Sequence, residues 1–311
     1  MADTSDRPPR RGRREGSDPR WLWPAFAAPG LLWLIVLFLV PFYAILAVAM
    51  GTIDPLFGLA EPVWNPVQWD PTTLLQVLRD LVGGRLTPVF LRTVSYVVIA
   101  STLCILIGYP VAYFIARRAG RWKITLLILL ILPFWINYIM RMLAWVNLLS
   151  VDGLANQALV GLGMLSAPQD WLAGRSSTVV LGLAYGYIPY FILPLYAALD
   201  RIGEDLLEAS RDLGANPFWT FARVTLPLSK QGILAGTVLI MLPMFGDYYT
   251  PNLLSGSPRT RMIGNEIDQF ISSGIGGTEG AALTVILMAF VGLLMSYYLI
   301  SVARETRRAA R

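Results

Sequence analysis

Six stretches of this chain are each long and apolar enough to cross a bilayer: about 25–50, 89–116, 124–149, 177–199, 232–254 and 281–303. A helical span needs roughly 17–25 mostly apolar residues. The 311 residues are 55% hydrophobic and 14% charged, a balance too apolar for an ordinary soluble domain. No strand-length alternation is visible, so the backbone must satisfy its hydrogen bonds within each segment, which makes the spans helices. The first run follows a basic N-terminus and contains Ala47-Val48-Ala49, a small-residue pattern like a signal cleavage site. Its length far exceeds the roughly 7–15 residues of a signal core, so it reads as an uncleaved helix.

Lys and Arg set the orientation. Arg7, Arg10, Arg11, Arg13, Arg14 and Arg20 lie before the first run; Arg117, Arg118, Arg121 and Lys123 follow the second; Arg201, Arg211, Arg223 and Lys230 follow the fourth; Arg304, Arg307, Arg308 and Arg311 close the chain. The opposite side holds only Arg79, Arg85, Arg175, Arg259 and Arg261. Both termini and the 200–231 insert are therefore expected in the cytoplasm. The net charge of +5 sits where membrane insertion places it and calls for no nucleic acid; contact with anionic lipid is enough. There is no His, and Cys104 is the single Cys, which excludes an internal disulfide, a His-based catalytic site and an ordinary zinc site.

Residues 1–20, rich in Arg, Pro, Asp and Ser, read as a disordered cytoplasmic tail, and 21–311 as the membrane domain. The outward segment 51–88 reads as a packed loop or short helix, and 154–165 as an interfacial or re-entrant helix too short to span. Pro29, Pro41, Pro110, Pro133, Pro189, Pro194 and Pro243 mark kink positions. GLAYG at 182–186 and GILAG at 232–236 are either helix contact faces or chance occurrences of a common pattern.

The insert is the unusual part. EDLLEASRDL at 204–213 is helix-forming, with Leu206, Leu207, Ser210 and Leu213 roughly on one face, and Gly214 stands where a left-handed cap is wanted. Asn216 and Pro217 then form a cap and first-turn pair that starts a second short helix, PFWTFARV. Phe218, Trp219 and Phe221 either fold back onto the membrane interface or await a partner.

Glu208-Ala209-Ser210, Gly214, Val224 and Leu226-Pro227 resemble the EAA motif of ATP-binding-cassette importer permeases, departing from it at Ser210 for Ala and Val224 for Ile. The resemblance implies an all-α, polytopic protein of six transmembrane helices with the type I importer permease (MetI-like) fold in a bacterial inner membrane. It further implies a coupling loop through Glu208, Ala209, Ser210, Gly214, Ala215, Asn216, Pro217, Leu226 and Pro227, docked on a separate ATPase homodimer that holds the ATP and Mg. This chain would bind no cofactor and catalyse nothing itself. A second homologous permease chain and an extracytoplasmic solute-binding protein are the other implied partners. Independently, no GxxxxGK[ST] occurs in the sequence, so nucleotide phosphates have no usual cradle here.

GYPVAYFIAR at 108–117, LPFWINYIMRMLAW at 132–145, GLANQAL at 153–159, LPMFGDYYTPNLLSG at 242–256 and MIGN at 262–265 resemble segments of polyamine (spermidine/putrescine) permeases. Permeases for iron(III), sulfate or another organic cation share the insert and stay open as alternatives. Asp247 is read inside the fifth span, where a carboxylate costs about 2.5–3.5 kcal/mol. It contacts a cationic substrate, pairs with Arg141, or sits at the outer interface. Tyr248 and Tyr249 are the accompanying pathway residues, since aromatic faces attract ammonium groups; Trp135, Asn137 and Tyr138 either join that pathway or belong to an aromatic belt and ordinary packing. An ion-coupled transporter would call for paired intramembrane acids or a proton relay, and an intramembrane enzyme for a nucleophile–base pair; the sequence offers neither.

Overall fold

A computed structural model describes residues 22–54, 56–274 and 276–309. The tail expected to be disordered over 1–20 lies outside the described residues. The chain divides between Ile45 and Leu46 into two units. Among the described residues the first is helical: α1 (Leu22–Leu34) runs through a π turn at Ile35–Leu39 into α2 (Val40–Ala49), whose last residues belong to the second unit.

After the end of α2 the second unit continues with a two-residue antiparallel pair, β1 (Thr52–Ile53) with β2 (Ala60–Glu61), in the register Thr52↔Glu61. Then come α3 (Thr72–Gly83), α4 (Thr87–Arg117), α5 (Lys123–Ile131), α6 (Tyr138–Leu149), α7 (Leu154–Gly161) and α8 (Ser176–Asp200). The remainder comprises α9 (Glu204–Asp212), α10 (Pro217–Thr220), α11 (Leu226–Phe245), α12 (Tyr249–Leu254), α13 (Ile263–Ser272) and α14 (Gly277–Ala309). Five described helices are long and apolar enough to span a bilayer, and six when the bent pair Gly120–Trp135 and Tyr138–Gly161 counts as one.

Two runs fold differently from a plain reading of hydropathy. The run at 124–149 is broken: a 3-10 turn at Leu132–Trp135 contains Pro133, the chain bends by 89°, and Asn137 caps α6 by accepting from the Ile139 amide at 2.9 Å. The run read as 232–254 takes in only the last part of a helix that starts at Pro217 and ends at Phe245, followed by a break and α12. PFWTFARV is therefore not a separate helix, because α10 passes through a π turn at Phe221–Thr225 directly into α11.

The core is α8 packed between α4 and α11. Phe191 of α8, fully buried, lies where Gly108 of α4 and Gly236 of α11 leave room on its two sides. A Cβ on Gly236 would lie 2.9 Å from the Phe191 carbonyl oxygen, and one on Gly232 would lie 2.5 Å from Ala198 Cβ. Gly182 and Gly186 likewise admit Leu254 and Tyr138, so both GxxxG segments are contact faces. At one end of the bundle Arg117 donates to the carbonyls of Leu199 and Ile202, both at 2.8 Å, which stabilises the open C-terminus of α8. Lys123 pairs with Asp200 beside it. At the other end Arg92 donates to the Arg261 carbonyl at 2.8 Å, and Asn156 of α7 accepts from the Gln169 amide and the Trp171 indole.

Because the α8–α11 contact is backbone to side chain with no slack, Gly236→Val is expected to cost about 1–3 kcal/mol by overpacking. Thermal unfolding of the purified protein in detergent should show a lower midpoint.

Candidate functional site

The insert forms a helical corner. α9 ends at Asp212, and Gly214 takes φ +85°, the left-handed conformation that glycine adopts without penalty. The Gly214 and Ala215 amides return to the carbonyls of Arg211 and Ser210 at 2.8 and 3.1 Å, which closes the cap. Asn216 then accepts from the Trp219 amide at 2.9 Å with Pro217 at the first helical position. Ser210 Oγ and Thr220 Oγ1, 3.1 Å apart, tie the two arms together. Here the Ser that replaces Ala in the EAA pattern has a structural use.

The apolar side chains of the corner divide. Leu207 is buried, and Phe221 packs edge-on to Tyr109 and Tyr113 of α4, at 5.6 and 5.8 Å between ring centres. Leu206, Leu213, Phe218 and Trp219 remain exposed, Leu213 at 89% and Phe218 at 68%, so the single face expected for Leu206, Leu207, Ser210 and Leu213 is split. Glu208, Ala209, Leu226 and Pro227 are also exposed and Ala215 is half-buried. Arg223 lies 4.4 Å over the Trp219 ring. Glu208 borders a polar cleft of about 380 Å³ with Arg117, Arg118, Glu204 and Arg211.

The second constellation surrounds the break after α11. Asp247 lies beyond the helix end at Phe245, not inside the span, and is only 6% exposed. One carboxylate oxygen accepts from the Thr250 amide at 3.0 Å; the other accepts from Thr250 Oγ1, Tyr138 OH and Tyr187 OH at 2.7, 2.8 and 3.2 Å. Hydrogen bonds to a charged group contribute about 1.5–3 kcal/mol each. Asp247 is thus satisfied by uncharged donors and not by an ion pair with Arg141. Arg141 instead stacks on Phe134 and Tyr138. MIGN closes the break from behind: Asn265 donates to the Tyr248 carbonyl and to Asn252 Oδ1, both at 2.9 Å, and accepts from the Met262 amide at 2.8 Å. A Cβ on Gly264 would lie 2.6 Å from the Gly246 carbonyl oxygen.

Trp135, Asn137 and Tyr138 line one cleft of about 500 Å³, together with Phe134, Tyr187 and Tyr190. Trp135 is 82% exposed there. Tyr248 and Tyr249 are not in that lining and stack on each other with ring centres 4.1 Å apart. Tyr187 and Thr250 escaped the sequence reading. Thr250 carried a usable signal, standing three residues after Asp247 at the spacing of a capping pair, whereas Tyr187 needs the fold to bring α8 alongside.

A helical bundle whose exposed corner continues into a broken span has the build of a polytopic transport protein. Residues 20–305 match the model of the binding-protein-dependent transport system inner membrane component, and the chain belongs to that family. It is 35% identical over 266 residues, 86% of this chain and 89% of the relative, to the spermidine/putrescine transport system permease protein PotB of Haemophilus influenzae. PotB of Escherichia coli K12 is 36% identical over 210 residues, 68% of this chain and 76% of that protein. The crystal structure of a bacterial ABC transporter involved in import of the acidic polysaccharide alginate superposes with a TM-score of 0.67 at 15% identity, covering 91% of this chain and 96% of that one. That likeness is one of fold, and it agrees with the all-α importer-permease architecture expected from the sequence.

Removing the Asp247 carboxylate strands four donor groups from three residues, so Asp247→Ala should lower the thermal midpoint more than Asp247→Asn, which keeps an acceptor oxygen. Gly264→Ala should lower it as well, since backbone rather than a movable side chain meets the new methyl. Scanning fluorimetry of the three purified variants measures both differences.

Proposed function

We propose that this chain is the permease subunit of an ATP-driven importer for polyamines, taking spermidine or putrescine from an extracytoplasmic binding protein. The observation that carries the reading is the aromatic cleft walled by Trp135, Tyr138, Tyr187 and Tyr190, with the Asp247 carboxylate behind two of its hydroxyls. Tyr138 and Tyr187 donate to that carboxylate, which makes their hydroxyl oxygens electron-rich. Ring faces and such oxygens suit the alternating methylene and ammonium groups of a polyamine. The PotB relatives, named for spermidine and putrescine, support the same substrate class.

ATP is hydrolysed by a separate ATPase pair in this reading, and the permease has no catalytic group of its own. The docking surface is the exposed corner, with Phe218, Trp219, Leu213 and Leu206 as anchors and Glu208 at its edge. Both termini and the insert face the cytoplasm, and a second, homologous permease chain completes the pathway. Since α10 is continuous with α11, displacement of the corner moves the helix that ends at the Asp247 break.

Uptake of labelled spermidine and putrescine in cells lacking this chain tests the reading. Wild type should restore uptake. Gly214→Asp should abolish it at unchanged membrane level, because a Cβ is strained at φ +85° and the corner is lost. Asp247→Asn should reduce uptake without abolishing it. No uptake with wild type and all partner subunits present would overturn the polyamine assignment.

A further inference from the structure

Arg141 is unexplained by the reading above. It projects from α6, is 7% exposed, and its Nε and Nη1 are buried without a hydrogen-bond acceptor. Its guanidinium carbon lies 4.2 Å from the ring centre of Phe134 and 5.4 Å from that of Tyr138. Those faces offset part of the cost of burying a cation but provide no oxygen. Arginine cannot shed its proton to escape the cost. Asp247, the buried carboxylate of the same region, is taken up by Tyr138, Tyr187 and Thr250.

The same side chain lines two clefts, of about 500 and 440 Å³, that share Ile136. The second is otherwise apolar or aromatic, and Trp135, Ile136 and Met140 nearby are 82%, 56% and 61% exposed. Exposed apolar side chains in a membrane protein by themselves indicate only lipid. A buried, unanswered cation between them does not, since an acyl chain carries no acceptor and intramembrane charges face protein or water. A polyamine cannot answer it either, because its charge has the same sign.

We propose that a carboxylate side chain of the second permease chain enters this face and pairs with Arg141, making Arg141 an assembly point between the two permeases. The inference rests on the two-permease reading given above. Charge complementarity sets the sign of the partner group, and a carboxylate accepts a charge-assisted hydrogen bond more strongly than a neutral carbonyl. The pairing also removes a bare positive charge from the wall of the cleft assigned to an ammonium-bearing substrate.

The test is co-purification of the second permease through a tag on this chain, in detergent, for wild type, Arg141→Lys, Arg141→Met and Arg141→Glu. Loss of one partner of a buried charge pair should lower retention of the second permease by more than about tenfold in Arg141→Met and Arg141→Glu, with Arg141→Lys intermediate. Melting of this chain purified alone adds a readout of opposite sign: Arg141→Met should raise its midpoint, because an unpaired buried cation is replaced by an apolar side chain of similar length. In the Arg141→Glu background, changing each intramembrane Asp or Glu of the second permease to Arg in turn should restore retention at one position. Wild-type retention by Arg141→Met and Arg141→Glu overturns the proposal, and so does failure of every exchange. A wild-type complex lacking any second permease overturns the two-permease reading with it. Absence of polyamine uptake by an intact two-permease complex bears on the substrate alone.

Discussion

Where α11 ends at Phe245, backbone groups are released at the end of a long apolar helix, and the chain must satisfy them internally because hydrocarbon supplies no partners. Side chains take over that task. Asp247 accepts from the Thr250 amide, Asn265 donates to the Tyr248 carbonyl, and the same Asn265 accepts from the Met262 amide. Gly264 is the residue that lets this second strand of chain come close enough. The rest of the site follows: Tyr138 and Tyr187 are drawn to the carboxylate from α6 and α8, and their rings become part of the cleft wall. Asp247 is thus a structural keystone of the break, covered by the hydroxyls of Tyr138 and Tyr187.

The corner and the break are the two ends of one helical rod. Pro217–Phe245 is 29 residues long, or roughly 40 Å at the α-helical rise. Phe221 fastens the rod to α4 near its base, and Phe191 holds it to α8 through the Gly232–Gly236 face. A rod held on two flanks and exposed at one end can carry a displacement that a loop would dissipate.

Much of this was legible in the sequence because hydropathy, caps and glycine positions act locally. The Gly214 corner, the Asn216–Pro217 start and the apolar runs depend on near neighbours. The boundaries of the third and fifth runs did not, since hydropathy records what is apolar and not where the backbone turns. Apolar content runs through the bend at Ile136 and past the end of α11, and the polar residues Ser229, Lys230 and Gln231 hid that the short helix begun at Pro217 continues into α11. The partners of Asp247 come from segments 60 and 109 residues away, Tyr187 and Tyr138, which no local pattern can bring together. Arg141 beside two aromatic rings was visible only as a charge inside a span; that no carboxylate answers it is a property of the fold.

The π turns at Ile35–Leu39 and Phe221–Thr225 each centre four residues before a proline, Pro41 and Pro227. Proline lacks the N–H that would bond the fourth carbonyl before it and crowds that carbonyl, and a wider turn relieves both problems without ending the helix. A π turn amounts to one extra residue in an α-helix, and each residue advances the helix by about 100°. Pro227 therefore sets the rotational phase between the exposed corner and the buried end of the rod. The azimuth at which Phe218 and Trp219 point, relative to the face that carries Gly236, is encoded in a single surplus residue between them.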